Sequence, residues 1–141
     1  MRYYLDTNII AFFLFDKKLE DNCDKNVCNL LSDYENIFYI SSIAMWELVK
    51  LYNDGELKSI KYKSYKDLFS FLDELGVEIK PFTKQHVMIY AELDTTIPEH
   101  KDPHDHMIIA QSISDKIPVI SSDKKFKFYE NQGLQLVFNK R

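Results

Sequence analysis

Four acidic residues stand at places where an α/β chain could turn them to chemistry. Asp6 closes the apolar run YYL, and Asp123 closes the run VISS. Glu47 falls in the second turn of the helix-period stretch Ile43 to Tyr52. Asp105 follows three residues after Asp102, which with Pro103 has the cap-then-proline order of a helix start. In a parallel α/β fold the strand ends and the following helix starts share one rim, so all four acids can converge there. Convergent carboxylates repel, and without a counter-charge at least one takes a proton. A hard divalent cation removes that conflict: magnesium, or manganese with the same oxygen ligands. Such a site can activate water and stabilise a phosphate leaving group.

Taken singly, each acid has an ordinary explanation. Asp123 can cap the short helix after it, and Asp105 gains from a helix dipole. Glu47 is harder to explain, because Ile43, Ala44, Leu48 and Leu51 around it are apolar and a glutamate among them needs a partner. Asp6 lies between an apolar strand and an apolar helix. Asp102 competes with Asp105 as ligand. The proline after it favours the cap for Asp102 and leaves the metal to Asp105.

The elements that must position these groups alternate. Strands are predicted at Tyr3 to Leu5, Ile37 to Ile40, Val77 to Ile79, Pro118 to Ser121 and Leu134 to Val137. Helices are predicted at Asn8 to Phe15, Asn22 to Leu31, Ile43 to Tyr52 after a Ser41-Ser42 cap, and Ser64 to Leu75 with Gly76 as its stop. Others follow Thr83, run from Asp102 to about Asp115, and lie near Lys124 to Tyr129. That alternation implies a parallel sheet covered on both faces, in one domain spanning 1–141.

Composition narrows the function. The formal charge of −4 argues against a protein that coats nucleic acid by charge alone, but not against an enzyme that grips a short stretch. The lysines Lys58, Lys61, Lys63 and Lys66 read as solvated surface. Lys124, Lys125 and Lys127 lie beside Asp123, and Lys124 is a candidate substrate contact. No apolar run approaches the ~20 residues of a membrane span, and MRYYLDTN has no signal-peptide core, so a cytoplasmic protein is expected. Cys23 and Cys28 read as free thiols. His100, His104 and His106 lack zinc-site spacing and are expected at the surface or in support of the acids; His86 reads as structural. Met45 and Trp46 could stack on a base, although a core or dimer surface is the commoner use. The Phe12 to Phe15 run is apolar on all sides, suited to burial or to a partner.

LDTN at Leu5 to Asn8, WEL around Glu47, DPHDHMIIAQ at Asp102 to Gln111 and ISSD at Ile120 to Asp123 together resemble the PIN domain, most closely the VapC-type toxins of toxin–antitoxin pairs. The likeness extends from Tyr3 to about Val137. It implies a three-layer α/β/α fold with a central parallel sheet of four to five strands, and a Mg²⁺- or Mn²⁺-dependent endoribonuclease. On this resemblance Asp6, Glu47, Asp105 and Asp123 are the catalytic metal ligands. Asn8 holds a metal water or the first aspartate, and Ser121 is the hydroxyl that accompanies the last acid. A homodimer, an RNA substrate and an antitoxin occupying the active groove are the implied partners. The family commonly has an aromatic and an arginine around the third acid, where this chain has His104 and His106. His106 is then the candidate replacement contact for substrate, with a charge that fades near neutral pH.

Two other functions remain in view. A non-catalytic PIN-like module would keep the acids for stability or for a basic partner, and would show no saturable metal binding. Phosphoryl transfer through an aspartyl phosphate on Asp6 wants a second aspartate two residues on, where Asn8 stands.

Overall fold

The computed structural model describes residues 1–16, 18–57 and 61–141. Its centre is a five-stranded sheet, every pairing parallel, in the order β3-β2-β1-β4-β5. β1 is Arg2–Leu5, β2 Ile37–Ser41, β3 Glu78–Lys80, β4 Val119–Ser121 and β5 Leu136–Phe138. Among the described residues six α-helices connect them: α1 Thr7–Phe15, α2 Lys25–Ser32, α3 Ser42–Asn53, α4 Tyr65–Leu75, α5 Lys84–Glu92 and α6 Pro103–Asp115. A 3₁₀ turn covers Leu19–Asp21 and a longer 3₁₀ helix covers Lys124–Gln132. The expected α/β/α arrangement is present. No described helix is long and apolar enough to cross a membrane.

β1 is central because Tyr3, Tyr4 and Leu5 are all buried, as a strand covered on both faces requires. From β1 the chain builds outward through β2 to β3, then returns to the other side of β1 for β4 and β5. The order therefore reverses between β1 and β4. A crevice opens there, beyond the carboxyl ends of the strands.

Helix boundaries follow local chemistry. α2 starts at Lys25 rather than Asn22, because the Asp24 carboxylate accepts from Val27 N and caps the helix there. α4 ends at Gly76, whose φ of +74° lets its N–H turn back to Leu72 and Asp73 carbonyls. The segment after Asp123 is a 3₁₀ helix that runs on to Gln132. The last strand starts two residues later than expected, since Leu134 is still occupied in closing that helix on the Tyr129 carbonyl.

Packing brings the future site together. α3 buries Ala44, Met45 and Leu48, and it packs against both α1 and α6. The starts of these three helices consequently meet at the β1/β4 crevice. Ile9, Ile10, Leu48, Ile108, Ile109 and Ile120 are fully buried beneath them. At roughly 1.5–3 kcal/mol for each large apolar side chain, that core can hold mutually repelling acids in place.

A buried polar chain ties the layers further. Ser41 Oγ donates to Gln111 Oε1 at 2.6 Å, and Gln111 Nε2 donates to the Tyr4 hydroxyl at 3.1 Å. Tyr4 in turn donates to Asp115, whose other oxygen meets His86 Nε2 at 2.8 Å. His86 is thus buried and structural in its contacts. The cysteines are free thiols. In the Phe12 to Phe15 run, Leu14 is buried and the three phenylalanines are partly buried against the core.

Candidate active site

Asp6 sits where β1 passes into α1. Its backbone N–H still donates to Ile120 across the sheet, at 3.0 Å, while its carboxylate caps α1 by accepting from Thr7 N at 2.8 Å. The second oxygen, Oδ2, accepts from Ser121 Oγ at 2.6 Å and from Asn8 Nδ2 at 3.1 Å. Asn8 is fixed in turn, its Oδ1 accepting from Ser122 N at 3.3 Å. Ser121 also accepts from Asp123 N at 3.0 Å, which links the last acid to the first through one hydroxyl.

The other three acids face Asp6 from different elements. Glu47 Oε1 accepts from Thr7 Oγ1 at 2.5 Å, the partner that its apolar helix demanded. Asp105 lies in the first turn of α6. Asp123 caps the 3₁₀ helix by accepting from Lys125 N at 2.9 Å, so its capping role and a place among the acids coexist. All four, with Asn8, line one cavity of about 290 Å³ whose apolar wall is Ala11 and Leu51.

Electrostatics show what this proximity does. Asp6 is only 3% exposed, and burial pushes its carboxyl up from 3.8 to about 7, helped by the charges of Asp105 and Glu47 and opposed by the Ser121 and Thr7 hydrogen bonds. Asp105 is likewise pushed up to about 7, first by burial and then by Asp102, Glu47 and Asp123. A cluster of acids that resists ionisation in this way is short of positive charge. Its donors are carboxylate oxygens of the kind that hard divalent ions take, so the residues present fit such an ion.

The histidines divide. His104 is half-buried and lies against the Trp46 ring, with centroids 4.8 Å apart; Trp46 is 50% exposed. A His104 ring nitrogen and the carboxylates of Glu47 and Asp102 offer ligand atoms within 4.8 Å of one another. Asp102 caps α6 by accepting from His104 N at 3.0 Å. His106 corrects an expectation. It is 3% exposed and its Nε2 donates to the His100 carbonyl at 3.0 Å, so it presents no face to a substrate. At the fourth position of α6 it points into the packing around Tyr129, not out of the groove. His100 is also buried rather than at the surface, with Nε2 at 3.0 Å from Asp105 Oδ2. Burial lowers the pKa of both rings. Lys124 is exposed beside Asp123; Lys63 and Lys66 are exposed too, while Lys58 lies outside the described residues.

Thr7 was not singled out from the sequence, and His100 was read only as a surface or supporting residue with no partner assigned. Thr7 stands between Asp6 and Asn8 in LDTN, and His100 stands five before Asp105 in HKDPHD. Neither spacing reveals a contact, because one bridges to α3 and the other folds back from a loop.

A family model for the PIN domain matches residues 3–131. The chain belongs to the PIN domain family. PIN domains are nucleases, and the acids of this PIN domain lie where the strand order reverses. A chain in the crystal structure of VapBC2 from Rickettsia felis, bound to a DNA fragment from their promoter, is similar with 26% identity and a TM-score of 0.69, covering 98% of each chain. A chain of VapBC-1 from nontypeable Haemophilus influenzae is 20% identical with a TM-score of 0.68 over 100% of both. The PIN domain endonuclease Utp24 is 21% identical, TM-score 0.54, over 99% of this chain and 87% of that one. No curated protein sequence matches this PIN domain.

Proposed function

We propose that this PIN domain is a divalent-metal-dependent endoribonuclease and the toxin of a VapBC-type pair. The observation that carries the reading is the shared cavity of Asp6, Glu47, Asp105 and Asp123, in which burial and the neighbouring acids push the carboxyls of Asp6 and Asp105 up to about 7. These four would hold Mg²⁺, with Mn²⁺ able to substitute. When bound, the ion supplies Lewis acidity, a water nucleophile and charge neutralisation for cleavage of a phosphodiester.

The chain's own residues have separate tasks. Asn8 and Ser121 hold Asp6 by its outer oxygen, and Thr7 holds Glu47, so the ligand oxygens are set before substrate arrives. Lys124, exposed beside Asp123, is the proposed contact for the RNA backbone. An antitoxin occupying the acidic groove fits a site of this charge, and the similar VapBC structures support a partner of that kind. A homodimer working in the cytoplasm completes the reading. An apolar cleft of about 540 Å³, walled by Met45, Trp46, Tyr65 and Phe69, adjoins Glu47 and offers surface for a protein partner.

The test is Asp6→Asn assayed on RNA in Mg²⁺. Cleavage should be lost while the circular-dichroism spectrum is retained. A variant that cuts as fast as the parent sinks the mechanism, and a parent that neither cuts RNA nor binds Mg²⁺ leaves a non-catalytic binding module.

A further inference from the structure

The loop before α6 carries a histidine whose side chain ends on one of the four acids. His100 Nε2 lies 3.0 Å from Asp105 Oδ2, with the ring 2% exposed. Its other nitrogen, Nδ1, lies 2.9 Å from the hydroxyl of Tyr129, which is fully buried. The direction of these bonds follows from satisfying every proton. A buried tyrosine hydroxyl must donate somewhere, and His100 Nδ1 is its hydrogen-bond partner among the described residues. Nδ1 is therefore the acceptor, which leaves the ring proton on Nε2 and directs it at Asp105.

The loop, α6 and the 3₁₀ helix together hold this histidine. Its backbone N–H donates to Ile97 O at 3.1 Å, and its carbonyl accepts from His106 Nε2 at 3.0 Å. The His106 ring stands edge-on to the His100 ring, with centroids 4.9 Å apart, and Phe126 and Tyr129 pack around it. Two histidines and a tyrosine, drawn from the loop, α6 and the 3₁₀ helix, thus converge on the orientation of one carboxylate.

We propose that His100 is a positioning residue for Asp105, and that Tyr129 and His106 are there to fix its ring and its tautomer. The proposal rests on the reading of the four acids as a metal site. One Asp105 oxygen accepts from the His100 N–H, which restrains the carboxylate's rotation and leaves its other oxygen to the ion. His106, too buried to reach substrate, gains a role through His100. An imidazole that instead gave its Nε2 lone pair to the ion would need its proton on Nδ1, and the Tyr129 proton would lose its acceptor.

The experiment titrates Mn²⁺ and, separately, Mg²⁺ into the intact chain by calorimetry, with a thermal melt for each variant. His100→Ala should weaken both ions by the same factor, about 10–100-fold, the usual consequence of removing a group that orients a metal ligand. His100→Gln keeps an N–H donor and should recover part of the loss. Tyr129→Phe removes only the oxygen that holds Nδ1; it should weaken both ions by less than His100→Ala, and the melting temperature should fall because the buried Nδ1 is left without a donor. Undiminished affinity in a folded His100→Ala overturns the proposal. So does a loss confined to Mn²⁺, which would make His100 a nitrogen ligand. If His100→Ala does not fold, undiminished affinity in Tyr129→Phe overturns it instead. A parent chain that binds neither ion refutes the metal site itself, an outcome separable from the others because it needs no variant.

Discussion

Asp6→Asn should stabilise the metal-free protein at pH 8. The sign follows from the carboxyl's environment. In the unfolded chain Asp6 ionises near 3.8, and in the folded protein near 7. Between those values the folded state binds the extra proton, so stability falls as pH rises through this window and stays low above it. At ~1.4 kcal/mol per pH unit the penalty on the charged form is about 4 kcal/mol above pH 7. Asparagine escapes it, but not without loss. With its amide oxygen at the Oδ2 position the variant still accepts from Ser121 and Asn8, but its N–H₂ then faces Thr7 N and cannot accept that bond. Leaving that donor unpaired costs about 2 kcal/mol. The net gain is about 2 kcal/mol. For a chain of 141 residues one kcal/mol shifts the melting temperature by ~3 °C, giving a rise of ~6 °C. The assay is thermal denaturation in EDTA from pH 4 to pH 8. The advantage of the variant should shrink as pH falls and vanish or reverse near pH 4, and saturating Mg²⁺ at pH 8 should reverse it as well. A variant that is less stable than the parent by the same margin at every pH would refute the account of a carboxylate under electrostatic stress.

Thr7→Val removes the hydroxyl that Glu47 accepts from, while keeping the shape of the side chain. Calorimetric Mg²⁺ affinity should fall by about tenfold. Lys116 ends α6 at a φ of +56°, a left-handed conformation that disfavours residues with a Cβ. Lys116→Gly should stabilise the protein by about 1 kcal/mol in urea denaturation, with no change in metal affinity. Tyr4→Phe cuts the link between Gln111 and Asp115 and leaves Gln111 Nε2 without that acceptor. It should destabilise by about 1–3 kcal/mol, again read by urea denaturation.

Much of this architecture was legible in the chain alone. Short apolar runs ending in Asp6 and Asp123 mark strands that deliver a carboxylate to the rim of a parallel sheet, and Asp102-Pro103 marks the helix that presents Asp105. Periodicity and capping are local, so they can be read from neighbouring residues. Boundaries were less legible where two local signals competed. The Asp24 cap makes α2 start at Lys25 rather than Asn22, and the tail of the 3₁₀ helix holds Leu134 back from β5.

Contacts between elements belong to the tertiary structure. Nothing in the spacing of Thr7 and Glu47 says that a hydroxyl on α1 meets a carboxylate on α3. That contact exists because Ala44 and Leu48 seat α3 against the core at one rotation. The histidines carry the same lesson. HKDPHDH supplies three rings of one chemical type, and the sequence offered His106 to the substrate. The fold turns His106 inward, lays His104 on Trp46 and brings His100 to Asp105. The sequence by itself determined which groups could hold a cation and which elements carry them. Only the packing of α1, α3 and α6 at the β1/β4 reversal decided which groups touch, because burial, orientation and mutual charge are properties of the assembled core.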